Sequence, residues 1–459
     1  MTPKQRKLIF WSMTGFALLL FLFFNHNDIA ETAQHAWNLI RSIADGQFLS
    51  FYDNVANRVY DFGFGFVYLN NAHYNILIYL LLALWELPLY LLCALLGLSG
   101  ASIEFFLYFW VKALCAGVFV LCALVVERLA LRLGLEKKSA DDIRLFFLFC
   151  PISLFVVFQF GGYDMFCLLF ILLALEAMLD RRLLRFSLLI GVASVFKFFA
   201  FLPFIPLLLL CEKRIVHVIR LGLCSLWLTL PTTLLFWGRA THSAAFNASM
   251  IDRFFFLNIP TEYGEISVFL LLYAALCVFC FACPTPARDR LPALSLYLCA
   301  LSFGLLFLTI TWHPQWMILL LPFLLLCAAQ SANRRVLFWV GAVFCLGYFL
   351  NMTFMFPGAL DANLLRLGVL HASIGETGSL AALLQKLPLV RKLAPAAYAA
   401  SLMSLLVLLA PYKGRPLCDR LEKNGLSAAY TPARCFWGLF LLGYCLSWLL
   451  PAAAAGFLF

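Results

Sequence analysis

The chain alternates between long apolar stretches and short polar loops along its whole length. The first apolar stretch, Leu8–Phe24, carries no charged residue and is long enough to cross a bilayer once. The pattern predicts an all-α, polytopic integral membrane protein with a single transmembrane domain, residues 1–459. The later apolar stretches are Ile76–Leu98, Phe105–Val126, Leu145–Phe160, Met165–Leu179, Phe186–Phe199, Leu202–Cys211, Val218–Trp237, Ile266–Cys283, Leu291–Thr311, Trp316–Ala328, Val336–Asn351, Ala394–Ala410 and Cys435–Leu450.

Basic residues are concentrated in some of the loops between these stretches, and this bias indicates which loops face the cytoplasm. Met1–Lys7 is basic, so the N-terminus is expected to be cytoplasmic. No small-residue cleavage site follows Phe24, so we expect Leu8–Phe24 to be retained as a signal anchor. The other loops assigned to the cytoplasm are Glu127–Arg144, Asp180–Arg185, Glu212–Arg220, Pro284–Arg290, Asn333–Arg335 and Tyr412–Arg434.

One apolar stretch does not fit an alternating topology. If Ile76–Leu98 crossed the membrane, the basic loop Glu127–Arg144 would lie outside. The stretch also contains Glu86, which is costly in a membrane, and Pro88, which breaks helices. We therefore expect Tyr74–Leu98 to be a re-entrant or interfacial helical pair, although a plain crossing stays open.

This assignment places Tyr74–Leu98 in a first outer loop over residues 25–103. About 13 spans then remain, and the C-terminus is outside. A late outer loop covers residues 353–391.

Composition supports a multi-pass protein of the cell membrane and excludes several classes. The chain is 64% hydrophobic and 12% charged, whereas soluble domains carry about 25% charged residues. The net charge of +10 comes from short loops, so it does not indicate a nucleic-acid partner. Most of the 16 cysteines lie in apolar stretches, and we expect neither disulfides nor a cysteine metal site. No nucleotide-binding motif is present, which argues against an ATP-driven pump.

The first candidate site residue is Asp28, because it follows the first span at once and would emerge at the outer membrane surface. Asp28, Glu31 and His35 follow one another at helical spacing and share one face. A carboxylate and an imidazole at this depth suit the deprotonation of an alcohol on a lipid-linked substrate. The alternative is an amphipathic helix on the bilayer, with Trp37, Leu39 and Ile40 facing lipid.

Three further candidates lie at the predicted outer ends of middle spans. Gln159 and Asp164 flank a turn with two glycines, where Asp164 is either a functional carboxylate or a helix cap. Lys197 lies among phenylalanines before Pro203, at a depth from which it reaches a lipid phosphate or extends to the surface.

The remaining candidates lie in later outer segments. His313 and Gln315 belong to the turn Thr311–Trp316, where two indoles form either a sugar-binding wall or an interfacial belt. Arg253 is either a phosphate contact or part of a loop ion pair.

The order of these motifs resembles the GT-C superfamily of membrane glycosyltransferases, including its bacterial mannosyltransferase-like members. Asp28 is similar to the acidic residue that begins the first outer loop in that family. The run Gln159–Asp164, which reads Gln-Phe-Gly-Gly-Tyr-Asp, resembles the second outer motif with its order altered. Lys197 followed by Pro203 is similar to a lysine-then-proline segment of bacterial members. His313-Pro314-Gln315-Trp316 resembles a late Ser-Pro-Gln-aromatic turn, with His in place of Ser.

The resemblance implies an inverting hexosyl- or pentosyltransferase of the GT-C fold that uses a polyprenyl-phosphate sugar on the outer face of the membrane. Asp28 would be the general base, and Asp164 would orient substrate. Lys197 would bind the donor phosphate with Arg253. Gln159, His313, Gln315, His35 and Glu31 would line the substrate site.

The resemblance leaves the cofactor and the acceptor open. Some members need a divalent cation and others do not, and with few outer carboxylates we expect no metal and no other cofactor. The acceptor is a lipid, a glycan or a protein of the cell envelope, in contact with membrane lipid. The competing hypothesis is a flippase or transporter of lipid-linked sugars, which would need no base.

Overall fold

The structure of the protein is a computed structural model, which describes residues 3–65, 72–239, 248–356, 364, 367–369, 386–412 and 415–419. The described chain is mostly helical, as the sequence predicts. Its helices are α1 (Pro3–Phe23), α2 (Asn27–Ala44), α3 (Phe51–Ala56), α4 (Ile76–Leu96), α5 (Gly100–Arg132), α6 (Lys137–Phe149), α7 (Pro151–Ser153), α8 (Asp164–Leu179), α9 (Leu183–Phe196), α10 (Phe201–Cys211), α11 (Ile215–Cys224), α12 (Thr229–Leu235), α13 (Ala248–Phe254), α14 (Val268–Ala282), α15 (Leu291–Thr309), α16 (Leu321–Ala329), α17 (Arg334–Met355) and α18 (Pro388–Leu408).

Shorter elements connect these helices. Short 3-10 helices span Phe48–Ser50, Phe198–Ala200 and Pro314–Leu319. A π-helix, Leu154–Phe160, continues α7. Strand β1 (Asn258–Thr261) pairs with β2 (Gly264–Ser267) in an antiparallel hairpin that places Asn258 opposite Ser267. Strands β3 (Pro411–Tyr412) and β4 (Arg415–Pro416) form a second hairpin.

In the part of the chain that is described, fewer helices than predicted have the length and composition of a membrane span. Six helices are long and apolar enough to cross a bilayer, namely α1, α4, α5, α15, α17 and α18. Two bent pairs, α6 with Pro151–Phe160 and α11 with α12, raise this number to eight if each is one span. The count of about 13 is not confirmed, because several predicted spans fold as apolar helices of 10–17 residues.

The last predicted span, Cys435–Leu450, lies outside the described residues, as does most of the late loop over residues 353–391. Two fragments of that loop are described and cover the end of α1. Leu364 accepts a backbone hydrogen bond from Asn25, at 2.8 Å, and Val369 donates one to Leu22, at 3.1 Å. The start of the first loop and the late loop therefore meet at the end of α1.

The prediction of a helical pair within Tyr74–Leu98 is wrong. This segment contains one continuous helix, α4, which ends at Gly97 in a left-handed conformation. Pro88 lies inside the helix and Glu86 is completely buried. Pro88 is exposed on the surface of α4, and the helix continues through it despite the missing backbone donor.

The partner of α4 is instead the beginning of α5. The indoles of Trp85 and Trp110 stack at 5.0 Å, and each donates a 2.8 Å hydrogen bond to the backbone carbonyl of the other. Helix α5 has 33 residues and is therefore about 50 Å long, more than the roughly 30 Å of a bilayer core. Its first turns form a hairpin with α4 and reach beyond the end of α1.

Helix α2 is buried inside the protein and does not rest on lipid. Trp37, Leu39 and Ile40, the residues that would face lipid in the amphipathic interpretation, are all buried. Trp37 packs edge-on against Tyr90 of α4, at 4.9 Å. The hairpin of α4 and α5 therefore covers the face that the sequence pattern could equally have assigned to a membrane.

Candidate functional site

The site is built around Asp28, in the elbow where α1 gives way to α2. His26 caps α2, because its Nδ1 accepts the backbone N–H of Asp28 at 3.1 Å. The His26 ring stacks on Phe160 at 3.7 Å and is thereby held in place. The Asp28 carboxylate stays 31% exposed, which leaves it accessible to a ligand.

A second segment reaches Asp28 from the far end of the chain. Gln315 Nε2 donates a 2.9 Å hydrogen bond to Oδ2 of Asp28. Gln315 lies in the short helix Pro314–Leu319, which α17 fixes through a 2.9 Å hydrogen bond from Tyr348 to the carbonyl of Pro314. One oxygen of Asp28 is therefore oriented by an amide, and Nδ1 of His26 lies 3.4 Å from the other.

The charges around Asp28 keep it ionised. Burial raises the pKa of Asp28, but its interactions with His26, followed by those with His313 and Lys197, outweigh this effect and hold the pKa at about 2. At neutral pH the group is a carboxylate and can accept a proton.

Asp164 and Lys197 form a buried ion pair beside this carboxylate. Their Oδ1 and Nζ atoms are 3.6 Å apart, and their side chains are 2% and 12% exposed. Asp164 begins α8, where a carboxylate is favoured by the helix dipole, and Lys197 lies at the break that follows α9. Asp164 lies in the first turn of α8, where Tyr163 is the cap residue, and its carboxylate faces a cation.

The glycines of the preceding turn serve close packing by the protein. Gly161 has a φ of +82°, and a Cβ there would lie 3.1–3.2 Å from the side-chain carbons of Lys112. A Cβ on Gly162 would lie 3.2 Å from Oδ2 of Asp164 and 3.4 Å from Cβ of Gln315. The turn therefore allows Gln315 and Asp164 to approach each other.

Aromatic rings enclose the two cations of the site. Nζ of Lys197 lies 5.0 Å from the ring centres of Tyr74 and Tyr163 and 5.8 Å from that of Trp316. The guanidinium of Arg253 lies 5.7 Å from the same indole. Lys197 and Arg253 thus share Trp316 as a neighbour.

His313 completes the wall of the site. Its ring packs against Trp316 at 4.9 Å and against Phe356 at 5.2 Å. Burial, followed by the charge of Arg253, lowers the pKa of His313 to about 4. His313 is therefore neutral at neutral pH and offers a hydrogen bond without adding charge.

Several polar atoms of the site lack a hydrogen-bond partner among the described residues, although they are buried. They are the Tyr163 hydroxyl, Asp164 Oδ1, Gln315 Oε1 and Trp316 Nε1. Buried polar groups are nearly always satisfied in folded proteins, so such a cluster is typical of a site that binds water or a polar ligand. The atoms include acceptors and an N–H donor, which suits a ligand with hydroxyl groups.

Most of the predicted site residues come together. Asp28, Asp164, Lys197, Gln315, His313 and Arg253 are joined by the contacts above. Gln159 is buried next to Phe160, the residue on which His26 stacks.

The other two predicted residues on α2 are placed differently. His35 is buried and packs edge-on against Tyr79 of α4, at 5.7 Å. Two turns of helix separate it from Asp28, so its contact is with the α4 hairpin. Glu31 lies three residues after Asp28 on α2 and is half-buried.

Sequence reasoning missed His26, Tyr74, Tyr163 and Lys112 as parts of the site. His26 and Tyr163 stand within two residues of predicted carboxylates, and this proximity was the available signal. Tyr74 gave no signal, because its contact with Lys197 joins segments far apart in the chain.

Within the described residues, no three His, Cys, Asp or Glu side chains come together in a group able to hold a metal ion. The 14 cysteines that are described are free thiols. No family model, no curated protein and no solved structure matches this chain.

Proposed function

We propose that this protein is an inverting membrane glycosyltransferase. It transfers a sugar from a polyprenyl-phosphate donor to an acceptor hydroxyl at the outer face of the cell membrane. The observation that carries the proposal is the accessible Asp28 carboxylate, oriented by Gln315, beside a group of two cations and aromatic rings. A base next to a cationic, aromatic-walled pocket suits a phosphate-linked sugar.

In this reaction Asp28 accepts the proton of the acceptor hydroxyl. The acceptor oxygen attacks the anomeric carbon from the side opposite the phosphate, and the bond between that carbon and the phosphate oxygen breaks. Polyprenyl phosphate leaves with the electron pair, and the anomeric configuration inverts. A positioned base contributes about a hundred- to ten-thousand-fold to such a step.

The charges favour Arg253 as the principal phosphate contact. Lys197 is already paired with Asp164 and enclosed by aromatic rings. Arg253 forms no ion pair with a carboxylate of the described residues, so its charge is left for the donor phosphate. Lys197 then supplies a second, partly compensated positive charge at the same indole.

The unsatisfied polar atoms suit the sugar. Gln315 Oε1 accepts a hydrogen bond from a hydroxyl, and Trp316 Nε1 donates one. The two carboxylates already have partners in the protein, Gln315 and Lys197, so we route no step through a metal ion.

The test is transfer of label from radiolabelled polyprenyl-phosphate sugars by the purified protein in cell-envelope lipid extract. We expect label in a new product with inverted anomeric configuration. Movement of labelled lipid across reconstituted vesicles without any transfer would contradict the proposal and favour a flippase.

A further inference from the structure

Lys112, which belongs to none of the sequence motifs, lies between the elbow that carries Asp28 and the glycine turn that carries Asp164. Lys112 of α5 is completely buried, with 0% of its surface exposed. A buried ammonium group is costly unless the protein supplies several hydrogen bonds or an opposite charge. No carboxylate of the described residues forms an ion pair with Lys112, so its stabilisation has another source.

That source is the end of α1. Nζ of Lys112 donates hydrogen bonds to the carbonyls of Phe21, at 2.9 Å, and Phe24, and lies 4.8 Å from the centre of the Phe21 ring. The last carbonyls of a helix lack partners and carry the negative end of its dipole. Lys112 therefore satisfies two backbone acceptors just before the elbow that leads to Asp28.

The methylene chain of the same lysine packs on the turn before Asp164. Its Cγ, Cδ and Cε atoms lie 3.1–3.2 Å from the position that a Cβ of Gly161 would take. A Cβ at this position would be tightly packed against the lysine, and the φ of +82° at Gly161 favours glycine as well. The side chain thus bridges the end of α1 and the glycine turn.

A second contact joins the same two segments, the elbow and the glycine turn. The ring of His26, in the elbow, stacks on Phe160, the residue before Gly161. Lys112 and His26 therefore hold the elbow and the turn together from two sides. The elbow carries Asp28, and the turn carries Asp164.

We propose that Lys112 is a positioning residue, which sets the distance between Asp28 and Asp164 by tying the end of α1 to the Gly161–Gly162 turn. It does not touch substrate. This inference has a structural part, which stands alone, and a kinetic part, which rests on the proposed transfer reaction.

The test compares two lysines with the same local role. Lys213 also donates to two carbonyls, of Leu209 and Cys280, both at 2.7 Å, and lies 5.8 Å from the Phe281 ring. Its contacts join α10 to α14 and involve no residue of the site. The variants are Lys112→Met and Lys213→Met, which keep an unbranched side chain and remove the N–H donors, and Lys112→Gln, which keeps a donor.

The structural readout is amide hydrogen exchange in the full-length protein. We expect Lys112→Met to speed exchange in both Asn25–Ile29 and Gly161–Asp164, with Lys112→Gln intermediate and Lys213→Met unchanged there. Unchanged exchange in these two segments in Lys112→Met would overturn the proposal. The same would follow if Lys213→Met loosened them equally.

The kinetic readout is the split between kcat and KM. A displacement of about 1 Å in a reacting group costs about a hundredfold in rate, so we expect Lys112→Met to lower kcat by about ten- to a hundredfold, with KM for the donor changed less than about threefold. An equal fall in kcat for Lys213→Met would show that the effect of Lys112→Met is only structural, and would contradict the positioning role. If exchange responds as expected but wild type transfers no sugar, the positioning role stands and the transferase proposal fails.

Discussion

At the scale of single residues, the two carboxylates of the site have different surroundings and therefore different roles. Asp28 is accessible and is oriented by an amide donor. Asp164 is almost fully buried and paired with Lys197. A group that takes a proton from a substrate needs access, whereas a group that fixes a cation needs burial. The proposed reaction therefore uses Asp28 as the base and Asp164 to fix Lys197.

The ion pair of Asp164 and Lys197 leads to a stability prediction. Asp164→Asn leaves Lys197 as a buried cation without its partner, a change that costs about 3–5 kcal/mol in folded proteins. We expect a clearly lower Tm in detergent for this variant. Replacing Lys197 by Met in the same chain should recover part of the lost Tm without restoring transfer. A Tm for Asp164→Asn equal to that of wild type would contradict the pairing.

The pKa shifts lead to a prediction about pH. The pKa of Asp28 is held at about 2, so the carboxylate is present at every pH well above that value and is lost only as the pH falls towards it. His313, with a pKa lowered to about 4, becomes charged only below that value. We expect kcat/KM to stay level from pH 8 to about pH 5. A pH profile with an acid limb centred near pH 6.5 would contradict this assignment.

The sequence predicts the members of the site better than it predicts their contacts. Asp28, Lys197 and Gln315 stand out because each is a polar residue at the end of an apolar stretch. The hydrogen bond from Gln315 to Asp28 joins positions 287 residues apart, which no local pattern encodes. No local pattern singles out Lys112, because it lies inside the apolar stretch Phe105–Val126. A single lysine there does not change the prediction of a membrane span.

At the scale of elements, the hairpin of α4 and α5 is a part of the fold for which the sequence-based prediction is wrong. Glu86 and Pro88 argued for a break within Tyr74–Leu98, yet α4 is continuous and turns back only at Gly97. Helix α4 packs against α2 and α5, with Glu86 buried and Pro88 exposed on its surface. A hydropathy pattern contains no information about such a neighbour.

The hairpin can be tested by cross-linking. Trp85 and Trp110 face each other, so Trp85→Cys with Trp110→Cys should react with a short bifunctional thiol reagent. The control pairs Leu84→Cys with Trp110→Cys, because Leu84 precedes Trp85 and is 70% exposed. The cross-linked product is detected as an intact peptide pair by mass spectrometry. Equal yields from both pairs would contradict the hairpin.

At the scale of the whole molecule, the remaining question is sidedness. The site lies at the end of the molecule where the first and late loops meet, and the basic bias of the other loops predicts that this end is outside. The hairpin of β1 and β2 leads from Arg253 to α14, and its tip residue Tyr263 is 98% exposed. An epitope tag inserted at Tyr263 should bind antibody on intact spheroplasts.

A second tag at Arg288, in the loop between α14 and α15, is the control for sidedness. This loop is predicted to be cytoplasmic, so its tag should bind antibody only after permeabilisation. The reverse result for the two tags would place the site on the cytoplasmic face and contradict the proposed donor orientation.

The central claim is that Asp28 is the base of a sugar transfer, and separating donor binding from transfer tests it most directly. Asp28→Asn keeps the shape of the side chain and removes the base, whereas Asp61→Asn makes the same change at an exposed residue of the same loop. Donor binding and label transfer are measured on wild type and both variants. We predict that Asp28→Asn binds the polyprenyl-phosphate sugar within about threefold of wild type and transfers it about a hundred- to ten-thousand-fold more slowly, while Asp61→Asn matches wild type. Transfer by Asp28→Asn at the wild-type rate would contradict the account.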